Sequence, residues 1–441
     1  MTKTRSTARA ARPANTKRNH PAPRVGILFL LLAAHSADLI AAPATFPEAP
    51  APGIATFANL RGGVRVLLVH GDTLYAGGNF RVSQGGVTRT NLAAFDLGGN
   101  LRPEFSATPN GTVLALATDG ISLFVGGEFS RLDLKKRLAA VDLVTGKVNR
   151  YFTVHVQGAT DIDQPTAVRA LAVVTDAASQ PPTRRLVVGG NFSRLNEAVI
   201  DNRLGLAAVA TDSGNLDPGR FTLGIQDGFV DAMIASKDGS TLYVGGAFTS
   251  FQGRASSLVA LDATGAVAGG MFRGGTQPII DLDLDEAGNR LFAASGGGSN
   301  RALAFTASGT SRGQLLWRGP RAGGDVQAIH YVDGNVYFGF HDGLFVEPDP
   351  FKMAAVDAGD GTLIVDLDHP GLGCSSADAD VPNCWLPVMD QTSGGQGFFG
   401  LSTLAHVVDA VTGKARLIAG GEFTQIGGIS NTRRLAIFQE P

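Results

Sequence analysis

The sequence predicts an all-β fold, a seven-bladed β-propeller of four-stranded antiparallel blades. Three observations carry the prediction: a motif that returns seven times, short apolar runs of strand length between turns, and 58 glycines in 441 residues with no G-X-Y period. Radial repetition of four-stranded units lets an antiparallel protein of this length bury its sheet faces and protect its edges. Glycine at near twice its ordinary share suits a turn-rich protein, and without the period it excludes collagen. An apolar content of 44% supplies a sizeable core and excludes a wholly disordered chain.

The motif is L-Y/F/V-x-G-G-x-F, then a polar loop, an Arg and L-A-A-x-D. Residues 74–80, Arg89 and residues 92–96 form the first copy; residues 123–129, Arg137 and residues 138–142 form the second. Gly189-Gly190-Asn191-Phe192 with Arg203 and Leu206-Ala207-Ala208 is the third. Gly245-Gly246-Ala247-Phe248 with Arg254 and residues 258–262 is the fourth. Residues 291–294 with Arg301, and residues 336–339 with 353–357, are degenerate copies that lack the full Gly-Gly-x-Phe. Gly420-Gly421-Glu422-Phe423 with Arg434 and residues 435–438 is the last. The spacing runs from the mid-forties to the low sixties, except for an 81-residue step into the final copy.

Within a copy the strands follow in order. The first is a short run such as Val64-Arg65-Val66-Leu67, Val113-Leu114-Ala115-Leu116 or Ile280-Asp281-Leu282-Asp283; the second ends on the Gly pair; the third is L-A-A-x-D; the fourth ends in an aromatic, as in Leu101-Arg102-Pro103-Glu104-Phe105. Two residues without Cβ at a strand end let neighbouring sheets approach closely, and the following Phe fills the gap. The Asp closing the third strand fits an Asx-turn. The recurring Arg fits a brace on a loop carbonyl. All three are fold devices. The last copy stops at Phe438 without a fourth strand, and Ile54-Ala55-Thr56-Phe57 has the matching aromatic end. Residues 53–58 are therefore expected to complete the seventh blade, removing an open edge.

Two segments stand outside the repeat. Residues 369–397, rich in Gly, Ser, Asp and Pro, form a loop insertion before the last copy and hold both cysteines, Cys374 and Cys384. In an exported protein a close pair of this kind is expected to form a disulfide. Residues 1–44 have the make-up of a secretory signal peptide: seven basic residues, a charge-free run from Val25 to Ala34, then small residues suited to cleavage after Ser36 or Ala44. That run is too short to span a bilayer, which takes roughly 20 apolar residues. A leader retained as an anchor is the alternative. Removing residues 1–44 leaves 30 basic against 38 acidic side chains, and such a distributed negative charge disfavours binding to nucleic acid. The remaining residues, 45–441, are the propeller domain, expected to be monomeric, with no transmembrane segment after leader removal, and secreted, periplasmic or at the cell surface.

With G-G-x-F, the Arg and L-A-x-x-D in view, residues 54–441 apart from the insertion resemble the delta-60 repeat β-propellers. The resemblance implies an exported bacterial propeller and transfers no catalytic residue. The degenerate copies at 291–305 and 336–357 depart from that pattern.

Aligning the copies places Arg65, Leu114, Arg169, Asp231, Asp281, Gln327 and Ser402 at the second position of each first strand. First strands lie nearest a propeller's axis, so Arg65, Arg169, Asp231, Asp281, Gln327 and Ser402 are candidate ligand-binding residues at the channel mouth. Asp281, Asp283 and Asp285 alternate along one strand and share a face, a weak candidate for Ca²⁺; a strand does not wrap a cation, and Glu286 stands where a calcium loop would need Gly. No other cofactor is implied. The histidines are scattered, and neither H-E-x-x-H nor G-x-S-x-G occurs. The expected function is a non-catalytic exported scaffold that binds a protein or glycan in the envelope or at the cell surface. The alternative is an exported hydrolase or lyase acting on glycan or peptide at the channel mouth.

Overall fold

The computed structural model describes residues 46, 56–57, 63–177, 179–196, 198–199, 204–222, 224–270, 272, 278–341, 352–364, 387, 389–390, 400–408, 413–426, 429 and 434–440. Residues 1–44, expected to be a signal peptide, Cys374, Cys384 and most of the 369–397 insertion lie outside them. Among the described residues the fold is all-β, and no helix is long and apolar enough to cross a membrane.

Seven antiparallel sheets of one kind follow along the described chain. Their inner, middle and third strands are Val64–His70, Thr73–Gln84 and Val87–Asp96 in the first; Val113–Thr118, Ser122–Gly127 and Leu138–Asp142 in the second; Ala167–Asp176, Thr183–Asn191 and Leu206–Ala210 in the third. The fourth has Val230–Ala235, Thr241–Gly246 and Leu258–Asp262; the fifth Ile279–Asp285, Arg290–Ser295 and Arg301–Thr306. The sixth has Val326–Val332, Asn335–Phe340 and Met353–Asp357; the seventh Leu401–Val408, Ala415–Gly421 and Leu435–Gln439. Each inner strand packs beside the next sheet's inner strand, and Leu401–Val408 packs beside Val64–His70. This is the architecture of a β-propeller.

The core is divided among the seams between sheets. Alternation along a strand sends successive side chains to opposite seams: Leu74 and Ala76 pack with Ile418 and Ile437 of the seventh sheet, whereas Tyr75 packs with Val113 and Leu123 of the second. Because both faces are covered, the middle and third strands read as unbroken apolar runs.

The Gly pair has two separate duties. A Cβ on Gly77 would lie 2.5 Å from Cγ1 of Val113, the first residue of the next inner strand, and one on Gly420 would lie 2.7 Å from Cγ1 of Val64. The first Gly therefore sets how closely neighbouring sheets approach. The second Gly lies against backbone of its own sheet; a Cβ on Gly78 would strike the Gly63 carbonyl.

The other repeated residues also brace the sheets. Asp96 Oδ1 accepts from the N–H of Gly98 at 2.9 Å, Asp262 Oδ1 from Thr264 at 2.9 Å and Asp357 Oδ1 from Gly359 at 2.7 Å, each an Asx-turn at the end of a third strand. Arg89 donates to the carbonyls of Phe105 and Pro103, Arg137 to Thr166 and Val156, and Arg301 to Gly319.

Two expectations need correction. Among the described residues only the fifth sheet has a fourth strand following its third, Leu315–Arg321. Elsewhere the outer run touches the third strand through single bridges, such as Phe95↔Leu101 and Val209↔Leu216. The described part of the 53–58 segment, Thr56–Phe57, pairs with Ser83 and Val82 of the first sheet and not with the seventh. The long first-sheet hairpin, reaching past the Gly pair to Gln84, presents the edge on which that segment pairs. All three strands of the seventh sheet are C-terminal. The N-terminal part contributes Phe46, fully buried between the sixth and seventh sheets, with its ring 5.6 Å from Tyr337. Phe105 meets Tyr75 and Phe272 meets Tyr243 in the same way at other seams, so Phe46 fills a repeat position from a distant part of the chain.

Candidate functional site at the channel mouth

Every inner strand begins with a bulge. Register shifts fall between Val64 and Val66, Val113 and Ala115, Val230 and Ala232, Ile279 and Asp281, Val326 and Ala328, and Leu401 and Thr403. A bulge leaves one residue out of the ladder and re-aims its side chain. In the third sheet the shift faces Val168 and Ala170, leaving Arg169 between them.

The bulged positions are thus Arg65, Leu114, Arg169, Asp231, Ile280, Gln327 and Ser402. The sequence alignment slips by one in the fifth sheet, where Ile280 and not Asp281 is the equivalent residue. All of them, with Asp281, line one cavity of about 600 Å³. Every channel-mouth candidate is therefore brought to the same place.

The cations of the cavity are matched within it. Arg65 forms an ion pair with Glu422 and donates through Nη1 to Ser402 Oγ at 3.2 Å, tying the first sheet to the seventh. Arg169 Nε lies 2.5 Å from Asp231 Oδ1, and its guanidinium sits 4.7 Å from the centre of the Phe229 ring. Burial lowers the Arg65 pKa against the pull of Glu422 and Glu128. Burial raises that of Asp231 against the pull of Arg169. Asn79, Thr112, Gln164, Gln327 and Thr403 add amides and hydroxyls to the wall.

Sequence reasoning missed Asn79, Glu128 and Glu422. Each is the variable residue of G-G-x-F, and their polarity within an apolar motif was the available signal. The equivalent Asn191 is fully buried; its Oδ1 accepts from the N–H of Thr160 and Asp161, and its Nδ2 donates to the carbonyls of Asp161, Gln164 and Pro165. It thereby holds the loop that carries Gln164 over the cavity.

No family model matches the chain, and no curated protein matches it. Among solved structures it is similar to the computationally designed Ika8 protein, at 12% identity and a TM-score of 0.47 over 89% of this chain and 99% of that one. It is also similar to the β-propeller domain of Myceliophteria thermophila Cps50 (Swd1), at 12% identity and 0.49 over 88% and 100%. The WD40 β-propeller domain of Doa1 is similar at 11% and 0.48 over 88% and 97%. Similarity of this size carries no argument; the fold stands on the sheets and seams described above.

The three aspartates of the fifth inner strand have separate partners. Asp281 accepts from the N–H of Leu282 at 2.9 Å and of Ile329 at 3.0 Å, and Asp283 from Tyr331 at 2.7 Å. Ile329 and Tyr331 are two apart, so their N–H groups leave the same edge of the sixth inner strand. The two carboxylates thus satisfy an edge to which no described strand is hydrogen-bonded. Asp285 is turned to Arg290, at 2.8 Å, and to the N–H of Gly288. The carboxylates do not converge, and among the described residues no group of three or more His, Cys, Asp or Glu is placed to hold a metal ion.

The histidines are less scattered than the sequence suggests. His330 Nδ1 lies 2.9 Å from Asp283, and its Nε2 lies 2.7 Å from His406 Nδ1, so one chain of contacts crosses three inner strands. Burial pushes the Asp281 carboxyl up to about 7. Burial alone would lower the His330 imidazole, but Asp283 outweighs it and the pKa is raised. That of His406 is lowered by burial and by His330.

Proposed function

We propose that the protein is an exported, non-catalytic scaffold, a closed propeller of seven blades that binds a polar protein or glycan segment at its channel mouth. The observation that carries this reading is the single cavity reached by residues of all seven inner strands. Its guanidinium groups are matched by carboxylates, while amides and hydroxyls remain as donors and acceptors for a neutral polar ligand. Closure and blade number are supported by the seventh sheet packing on the first through Val64, Ile418 and Ile437. Membership of the delta-60 repeat propellers, a monomeric state, and a secreted, periplasmic or cell-surface location belong to the same proposal; they rest on the repeat and on the make-up of residues 1–44. The native protein is then expected to have an intact mass short of the full chain by its first 36 or 44 residues. A full-length cytosolic species would refute export.

Binding is tested on an array of envelope-type glycans and peptides, comparing the full chain with Arg169→Ala/Asp231→Ala. Retained spots should weaken at least tenfold in the double variant, about 1.4 kcal/mol. No retained spot, or equal retention by both proteins, would overturn the channel mouth as the binding site. A second reading, a hydrolase or lyase at the same mouth, is favoured by one observation: Asp281, in the cavity wall, has a carboxyl raised to about 7. Turnover of an arrayed glycan or peptide, lost in Asp281→Asn, would establish it.

A further inference from the structure

The outer part of the second sheet carries a net positive charge. Residues 131–151 hold six basic side chains against two acidic ones, in a chain whose segment after residue 44 is acidic overall. Arg137 is spent as a brace on two carbonyls. Arg131, Lys136, Lys147 and Arg150 are exposed and make no ion pair among the described residues.

Two large apolar side chains stand among these cations. Leu134, at the tip of the hairpin closed by Leu132 and Lys135, and Tyr151 are each 88% exposed. Lys135 Nζ donates to the Arg150 carbonyl at 3.3 Å, which brings the hairpin tip and the residue before Tyr151 together. A shallow cavity of about 360 Å³ beside them is lined by Asp133, Lys147, Arg150, Ser106 and Thr108. Asp133 is the acidic group within the cluster; Asp142 is engaged in its own turn with Val144 and Thr145.

We propose that this edge docks on an anionic phospholipid surface. Unpaired cations match phosphate headgroups, Tyr suits the interfacial layer, and an exposed Leu at a hairpin tip suits the acyl boundary. A soluble polyanion would satisfy the charge and leave Leu134 and Tyr151 in water, so the bilayer is the occupant that accounts for both features. The surface and the channel mouth share no lining residue, so the proposal stands whatever that mouth binds.

The test places a reporter at the contact, so that residues 1–44 do not obscure it. In the full chain carrying Leu134→Trp, emission is compared with the parent protein on adding vesicles of phosphatidylcholine alone or with phosphatidylglycerol. A blue shift with the anionic vesicles only, reversed by about 0.5 M salt and weakened at least tenfold in apparent affinity by Lys136→Glu/Lys147→Glu/Arg150→Glu, is the expected result. The three reversed residues are exposed, and an unchanged melting temperature verifies the fold. No shift, a shift that survives charge reversal, or an equal shift with dextran sulfate would overturn the proposal.

Discussion

Gly420→Val is expected to cost about 3 kcal/mol of stability, or more if the seam cannot relax. Its Cβ would stand 2.7 Å from Val64 Cγ1 and 2.8 Å from Thr403 Cγ2, well inside contact distance on both sides. Overpacking a close-packed core typically costs 1–3 kcal/mol, and here the obstruction is an inner strand with little freedom to shift. Val64→Ala alone should cost about 1–2 kcal/mol through lost burial. The two substitutions together should be less harmful than their sum, because the smaller Val64 site admits part of the new side chain. Urea titration of the four proteins measures the coupling. Simple additivity would mean that Gly420 and Val64 do not share a seam.

His330→Leu should be comparably damaging, about 3–5 kcal/mol, since it strips the cation from a carboxylate that lies among buried strands. Asp283→Leu/His330→Leu removes the stranded charge and should recover part of the loss, less what the Tyr331 N–H forfeits with its acceptor. The same cluster makes stability depend on pH. Asp281 binds its proton more tightly folded than unfolded, so its contribution is complete below its ordinary value of 3.8 and is lost as pH rises to about 7. The raised His330 contributes fully below about 6.5 and loses that contribution as pH rises through its folded value. His406, lowered, has the opposite sign below about 6.5. Comparing wild type with Asp281→Asn cancels both histidines to first order. The stability difference should move against the wild type between about pH 4 and 7 and level off above. A constant difference across that range would mean that Asp281 titrates as an ordinary carboxylate.

Repetition made much of this molecule legible. One Gly pair is a weak sign, but five pairs, each followed at a similar distance by an apolar run, disclose strands, seams and order. The Asx-turns were readable for the same reason. The outer strand was not, because four or five residues ending in an aromatic look alike whether they form a ladder or a single bridge. The slip at the fifth sheet has a local cause: Ile279 and Ile280 are both apolar, and only the bulge decides which of them opens the strand. Contacts between copies left no pattern to find. Arg65 and Glu422 are 357 residues apart, His330 and His406 are 76 apart, and each pair is unique to its seam. Phe46 was invisible for a related reason, since it supplies a ring and no strand.

Among the described residues no strand passes between the first and seventh sheets, and this has a wider implication. The N-terminal part lends the seam of the sixth and seventh sheets an aromatic plug, and the three described strands of the seventh sheet all come from the C-terminal part. Cutting the polypeptide at a link between two sheets and joining the old termini would leave each meander intact. Such a rosette has no obligatory first petal, and where translation begins is a separate matter from where assembly begins.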